Sequence, residues 1–408
     1  MHSSTDSGSA APGVDLDRAV PLRRLVYLQE ADEVTIGSPE TDTYAVFPPD
    51  GAELVRMLAD GRTPREAAER YEAAHGESVD IADLVGALVE LDLVRSAGEP
   101  VGPDGPDGPA GGATPVRWQR LGRLVFSRPA FVGYALVTAL AVAEMIRVPR
   151  LVPRVDHIFF SSSYTLVVLM LFVGQVPLLA LHEAFHALAG RRLGLRSRLS
   201  VGRRLVYLVL ETSLDGLVGV ERRKRYLPIM AGMLADTLAI AVLTLVADLT
   251  RDANAGVASI CLAMAYATVL RLAWQGFFYL RTDLYVLLST VLGCVDLHAA
   301  AADVLRNAVR RGTGRPPLDL SVHHPVDRRV ARWYAWLMLV GYVFTLTMFA
   351  GVVVPTAYRL LHDMWLRLTG QASLAGRLDS LALMLLSAAQ TVAVLVLAAR
   401  ERRAAASA

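Results

Sequence analysis

His182-Glu183-Ala184-Phe185-His186 closes an apolar run that extends from Tyr164 to Leu181. The length of that run predicts a helix, and its composition predicts one in or beside a lipid bilayer. Residues four apart share a helix face, so the imidazoles of His182 and His186 are placed to bind one zinc ion. Glu183 projects from the neighbouring edge of that face, where a carboxylate can take a proton from zinc-bound water.

Working outward, the whole chain has 408 residues, 53% of them hydrophobic, with a mean hydropathy of +0.39. That is too apolar for an ordinary soluble protein and too charged for a pure membrane bundle, so a soluble part joined to a membrane part is expected. A net charge of +2 gives no global case for binding nucleic acid. The two cysteines, Cys261 and Cys294, stand in apolar surroundings and suggest neither a disulfide framework nor a thiolate zinc site. Residues 1–20 are small, polar and acidic and lack a signal-peptide core, which predicts a cytosolic N-terminus.

Four segments follow from this pattern: a disordered tail over residues 1–19, a small α+β domain over 20–97, a flexible linker over 98–116 and a helical membrane domain over 117–408. Strands are expected at Arg24–Gln29, Glu33–Gly37 and Thr43–Phe47. Helices should begin at Pro48-Pro49-Asp50, at Thr63-Pro64-Arg65-Glu66 with Thr63 as its cap, and at Asp80, with Leu93-Val94 returning as a strand. The linker is rich in Gly, Pro and Asp and cannot bury a core.

Membrane spans are expected near 130–147, 164–187, 227–248, 255–275, 334–355 and 379–398, about six in all. Basic clusters test their orientation. Arg117, Arg120 and Arg123 precede the first span, Arg191 to Arg204 follow the second, Arg222 to Arg225 precede the third, Arg306 to Arg332 precede the fifth, and Arg400 to Arg403 follow the sixth. Six spans with both termini in the cytosol place all of these inside, although Arg147, Arg150, Arg154, Arg367 and Arg377 fall on the other side. His182 and His186 then sit near the cytoplasmic end of the second span.

A catalytic zinc site wants three protein ligands. Carboxylates near the membrane segments are Glu144, Glu211, Asp215, Asp236 and Asp283. Asp283 is preferred, because it stands at the cytoplasmic end of the fourth span, before the apolar run Leu284 to Cys294. Glu211 and Asp215 lie among arginines and suit a solvated or salt-bridged role, and Asp236 inside a span needs a polar neighbour. His323 and His324 read as a surface pair, and Trp333, Tyr334 and Trp336 as an aromatic belt. The stretch Leu205–Thr212 is strand-like and predicts an edge strand or hairpin able to pair with an extended peptide.

Three blocks resemble the intramembrane site-2 protease family, and more narrowly its bacterial peptide zinc metalloproteases. They are Leu181 to Gly194 around the two histidines, Arg222 to Asp236 with Gly232, and Tyr279-Leu-Arg-Thr-Asp283-Leu-Tyr285-Val-Leu-Leu-Ser289. The resemblance covers about residues 120–400 and implies a zinc metalloendopeptidase with His182, His186 and Asp283 as metal ligands and Glu183 as general base. The chain departs from the family at Phe277, Phe278 and Leu284, where Asn, Pro and Gly are usual, and at Met233 and Asp236, where Pro and Asn are usual. Residues 22–97, with Leu58-x-x-Gly61-x-Thr63 and Leu88-x-x-Leu91-x-Leu93-Val94, resemble the PqqD-like winged-helix domains that hold leader peptides.

The expectation is therefore a mainly α, multi-pass protein of the cell membrane. It would use zinc to cut a peptide or membrane-anchored protein near the cytoplasmic face. Its partners would be that substrate, a leader peptide bound by the N-terminal domain, and membrane lipid, with no nucleic acid. The alternative is a catalytically degenerate scaffold or export-associated module for a precursor peptide.

Overall fold

The structure is a computed structural model that describes residues 15–30, 33–95, 116–204, 207–370 and 373–407. The expected tail (apart from residues 15–19), almost all of the expected linker, and Leu205 and Val206 lie outside the described residues. The chain divides into two compact units. The first takes in the N-terminal residues to Arg117 together with Gly194–Arg196 and Leu214–Arg225, and the second takes in the rest.

The first unit contains a small α+β fold. Strands β1 (Val26–Glu30), β2 (Glu33–Ser38) and β3 (Thr43–Phe47) form an antiparallel sheet in that order. Central β2 registers Ile36 against Tyr27 on one side and Ala45 on the other. Alternation on β2 buries Val34 and Ile36 on the face that packs against helices. Those helices are α1 (Pro49–Ala59), α2 (Pro64–His75) and α3 (Ile81–Glu90). Thr63 and Glu66 form the expected capping box, and Gly76 ends α2 in the left-handed conformation at φ 74°. Leu54, Val55, Leu58, Leu88 and Leu93 complete the core. The expected return at Leu93-Val94 occurs as a single antiparallel bridge from Val94 to Leu22, not as a full strand.

The second unit is helical. Short helix α4 (Gln119–Val125) precedes α5 (Arg128–Arg147) and α6 (Tyr164–Arg192). A hairpin follows, of β4 (Arg196–Arg204) and β5 (Tyr207–Asp215), so the expected strand exists and has a partner that begins earlier in the chain. Then come α7 (Arg222–Thr250), α8 (Ala255–Trp274), α9 (Asp283–Leu292), α10 (Leu297–Gly312), α11 (Pro325–Met348), a π turn over Phe349–Val353, α12 (Val354–Thr369) and α13 (Leu374–Ser407).

Among the described residues, five helical segments are long and apolar enough to cross a membrane: Arg128–Arg147, Tyr164–Arg192, Arg222–Thr250, Ala255–Trp274 and Pro325–Gly351. The pair α9 and α10, bent by 91°, makes a sixth if counted as one broken span. The first five expected spans match these helices, and the expected 379–398 span lies within α13. The broken segment after Asp283 was read in the sequence only as an apolar run.

Two packing devices position the site. Gly122 on α4 lies so close to the carbonyl of Leu188 that any larger residue would displace α6. Phe126 meets Phe185 edge to face, with ring centres 5.7 Å apart. Ala231 and Ala235 of α7 join Phe126, Phe185 and Ala189 in one buried cluster, and small residues such as these and Gly232 let two helices approach closely. Tyr334 was expected in an interfacial belt. It is instead fully buried and donates its hydroxyl to the Phe278 carbonyl at 3.0 Å, while Trp333 and Trp336 remain exposed.

Candidate metal centre

Helix α6 has 29 residues. Its first twenty span about 30 Å, the thickness of a hydrocarbon core. A hydrocarbon core laid over those twenty would put the turns that carry His182, Glu183 and His186 at its boundary, and all three side chains are buried. The four-residue spacing brings the two Nε2 atoms to 3.2 Å of each other. Asp283, the first residue of α9, places its Oδ2 3.3 Å from each of them. Among the described residues, these three form the one group of His, Cys, Asp or Glu donors close enough to share an ion.

The chemistry of the donors fixes what can lie among them. His186 Nδ1 is 2.7 Å from the carbonyl oxygen of Pro228, which can only accept, so Nδ1 carries the proton. His182 Nδ1 is 3.1 Å from Asp236 Oδ2, again an acceptor. With the Nδ1 proton placed in this way, each ring in its neutral form turns a bare Nε2 lone pair inward. Asp283 Oδ2 is buried and accepts no hydrogen bond among the described residues. Three electron-pair donors facing one point repel unless a positive charge lies there, and a metal ion is one charge that all three can share. Their spacing suits it. Donors about 2.1 Å from a tetrahedral ion stand roughly 3.4 Å from one another, and the observed separations are 3.2, 3.3 and 3.3 Å.

Gly232 shapes the opposite wall. A Cβ at this position would collide with Nε2 of both histidines and with Cε1 of His182. Its lack of a side chain leaves the space on the α7 side of the rings.

Asp283 is aimed by the turn before it. Phe278–Leu280 is a short 3-10 turn, Arg281 takes a left-handed conformation at φ 55°, and Thr282 precedes α9 in an extended one. Thr282 Oγ1 donates to the Gln275 carbonyl at 2.7 Å, and the Asp283 N–H donates to Gln275 Oε1 at 3.0 Å. Tyr279 packs against Gly341, and its hydroxyl hydrogen-bonds to Thr345 of α11. Aromatic side chains at 277 and 278 thus belong to a packed turn that still delivers Asp283 to the histidines.

Of the other carboxylates considered, Glu144 pairs with Arg147 at 2.5 Å and is not part of the group. Glu211 and Asp215 lie on β5, and their side chains are outside what the structure describes. Asp236 is fully buried beside His182, with Arg271 bonded to both of its oxygens. Arg271, Gln175 and Gln275 were not anticipated. Arg271 could have been found as a charge three residues from the end of an apolar helix, which requires a partner. His323, expected at the surface, is partly buried and lies 2.9 Å from Asp303.

No protein-family model, curated protein or solved structure matches the chain.

Proposed function

We propose that the chain is a membrane-embedded zinc metallopeptidase. The observation that carries this reading is the convergence of His182 Nε2, His186 Nε2 and Asp283 Oδ2 at near-tetrahedral spacing, directly beside the buried Glu183. Zinc bound there would supply Lewis acidity, polarising a peptide carbonyl and making water easier to deprotonate. Glu183 takes the proton from the attacking water and delivers it to the departing amide nitrogen. His182 and His186 would hold the ion through Nε2, since the Nδ1 of each faces an acceptor, Asp236 Oδ2 and the Pro228 carbonyl.

The substrate is a peptide or membrane-anchored protein, cut near the cytoplasmic face of the cell membrane, with both termini of the enzyme in the cytosol. Peptide bonds inside a spanning helix are hydrogen-bonded and shielded, so a cleavable segment must be extended locally. The β4–β5 hairpin offers backbone for pairing with such a segment. Leu208→Pro should then reduce cleavage without loss of zinc, and unchanged cleavage would reject this role. The N-terminal α+β unit is read as a PqqD-like winged-helix domain that recruits the substrate, a precursor peptide with a leader fitting best.

The test is Glu183→Gln, which spares the metal donors and removes the base. Mapping new peptide termini in host membranes should show products with the wild type and none with the variant, at equal zinc content. The replacement of the family's Asn-Pro by Phe277-Phe278 favours a second reading, a non-hydrolytic scaffold. That reading predicts identical peptide maps for the two proteins.

A further inference from the structure

Asp236 touches more than His182. Its Oδ1 accepts from Arg271 Nη2 at 2.5 Å and its Oδ2 from Arg271 Nε at 3.2 Å. Arg271 also donates through Nη1 to Gln175 Oε1 at 2.8 Å, and Gln175 Nε2 in turn donates to the Met264 carbonyl at 3.3 Å. The path runs from α8 back to α6 at two points. Gln175 and His182 are seven residues apart, two helical turns on one face. One guanidinium therefore grips α6 directly at Gln175 and indirectly at His182, with the carboxylate of α7 between.

Such groups are expensive inside an apolar bundle unless each is paired and hydrogen-bonded. Here the pairing is bidentate, the arrangement that fixes both the distance and the plane of a carboxylate. The pair is also neutral as a whole. A lone carboxylate behind His182 would add a second negative charge to a centre that already holds Asp283. With Arg271 attached, Asp236 contributes direction with little net charge.

We infer that Asp236 and Arg271 form one positioning unit that sets the ring plane and the proton-bearing nitrogen of His182, so that its Nε2 faces the ion. Gln175 keeps the guanidinium in register. This rests on the metal-site reading above and assigns these residues no direct part in hydrolysis. They are positioning residues.

The experiment measures metal affinity of the full-length protein in detergent, by competition with a chromophoric chelator, using zinc and then cobalt. Asp236→Ala should lower affinity by roughly 10–100-fold, the usual range for residues that orient a ligand. It should also alter the cobalt ligand-field bands. In Asp236→Asn the new amide donors face the guanidinium, and Arg271→Gln supplies an acceptor for them. The double variant should therefore bind at least as tightly as Asp236→Asn alone, showing that the two positions act as one.

A purely structural role would lower the melting temperature of the metal-free protein and leave the cobalt bands of folded variants unchanged. That result, or losses that simply add, would overturn the inference. If Asp236→Ala does not fold, Asp236→Asn and Arg271→Gln carry the test. His182→Ala is measured alongside. If it retains wild-type affinity, the metal site itself falls, an outcome distinct from failure of the positioning unit alone.

Discussion

The backbone N–H of Asp283 donates to the side-chain oxygen of Gln275, 3.0 Å away and eight residues earlier in the chain. This bond closes the turn between α8 and α9 and sets the direction in which the Asp283 carboxylate leaves the backbone. The Gln275 side chain is buried, so its amide has no ready supply of water as a substitute. Gln275→Ala should loosen Asp283 without removing it. The expected result is metal affinity reduced several-fold, less than for Asp283→Ala, in chelator competition. Equal affinities for Gln275→Ala and the wild type would show that the turn is fixed by other contacts.

Gly232 provides a test with the opposite helix physics. In a helix interior Ala is favoured over Gly by about 1 kcal/mol. Gly232→Ala should thus keep or raise helix content. Its new methyl would meet both imidazoles, so metal affinity should fall at least roughly tenfold if the rings must turn aside. Circular dichroism and metal titration on the same sample check the two halves. A tight-binding Gly232→Ala protein would mean that α7 can move back at little cost.

How far the sequence anticipated this centre depended on the range of the interaction. His182, Glu183 and His186 are legible because helix geometry alone makes neighbours of residues four apart. The capping box at Thr63 and Glu66 is equally local. Asp283 required two helices to converge over about a hundred residues, and its choice rested on membrane position and family resemblance. Arg271 was missed because a charge near a helix end reads as interfacial until its partner on another helix is known, and Gln175 because one uncharged polar residue inside an apolar helix points to no particular partner. Tyr334 was misplaced for a related reason. Beside Trp333 and Trp336 it resembles a headgroup anchor, yet a helix turns about 100° per residue, and that carried it into the core under Phe278.

The N-terminal unit carries its own pH signature. Tyr71 donates its hydroxyl to Asp50 Oδ2 at 2.8 Å, which ties α2 to the first turn of α1. That bond, with help from the Gly51 N–H, holds the Asp50 carboxyl below its ordinary value, and Asp50 raises the Tyr71 hydroxyl. A carboxyl lowered in the fold contributes stability above its unfolded value, about 3.9, and that contribution is lost as pH falls through the folded value. The raised tyrosine contributes below about 10 and loses its share as pH rises through its folded value. Amide exchange in α1 and α2 of the full-length protein should therefore be faster in Asp50→Asn than in the wild type at pH 6, and the difference should shrink as both are acidified below about pH 4. A difference independent of pH would remove the carboxylate from the explanation.

The central claim concerns three side chains and one ion, and X-ray absorption at the zinc edge of the purified full-length protein tests it most directly. One zinc per chain should be found, with nitrogen and oxygen donors at about 2.0–2.2 Å and the outer-shell signature of two imidazoles. That signal should be absent from His186→Ala and weakened in Asp283→Ala. A wild-type protein with no more zinc than His186→Ala, or zinc in a shell without imidazole, would contradict the account.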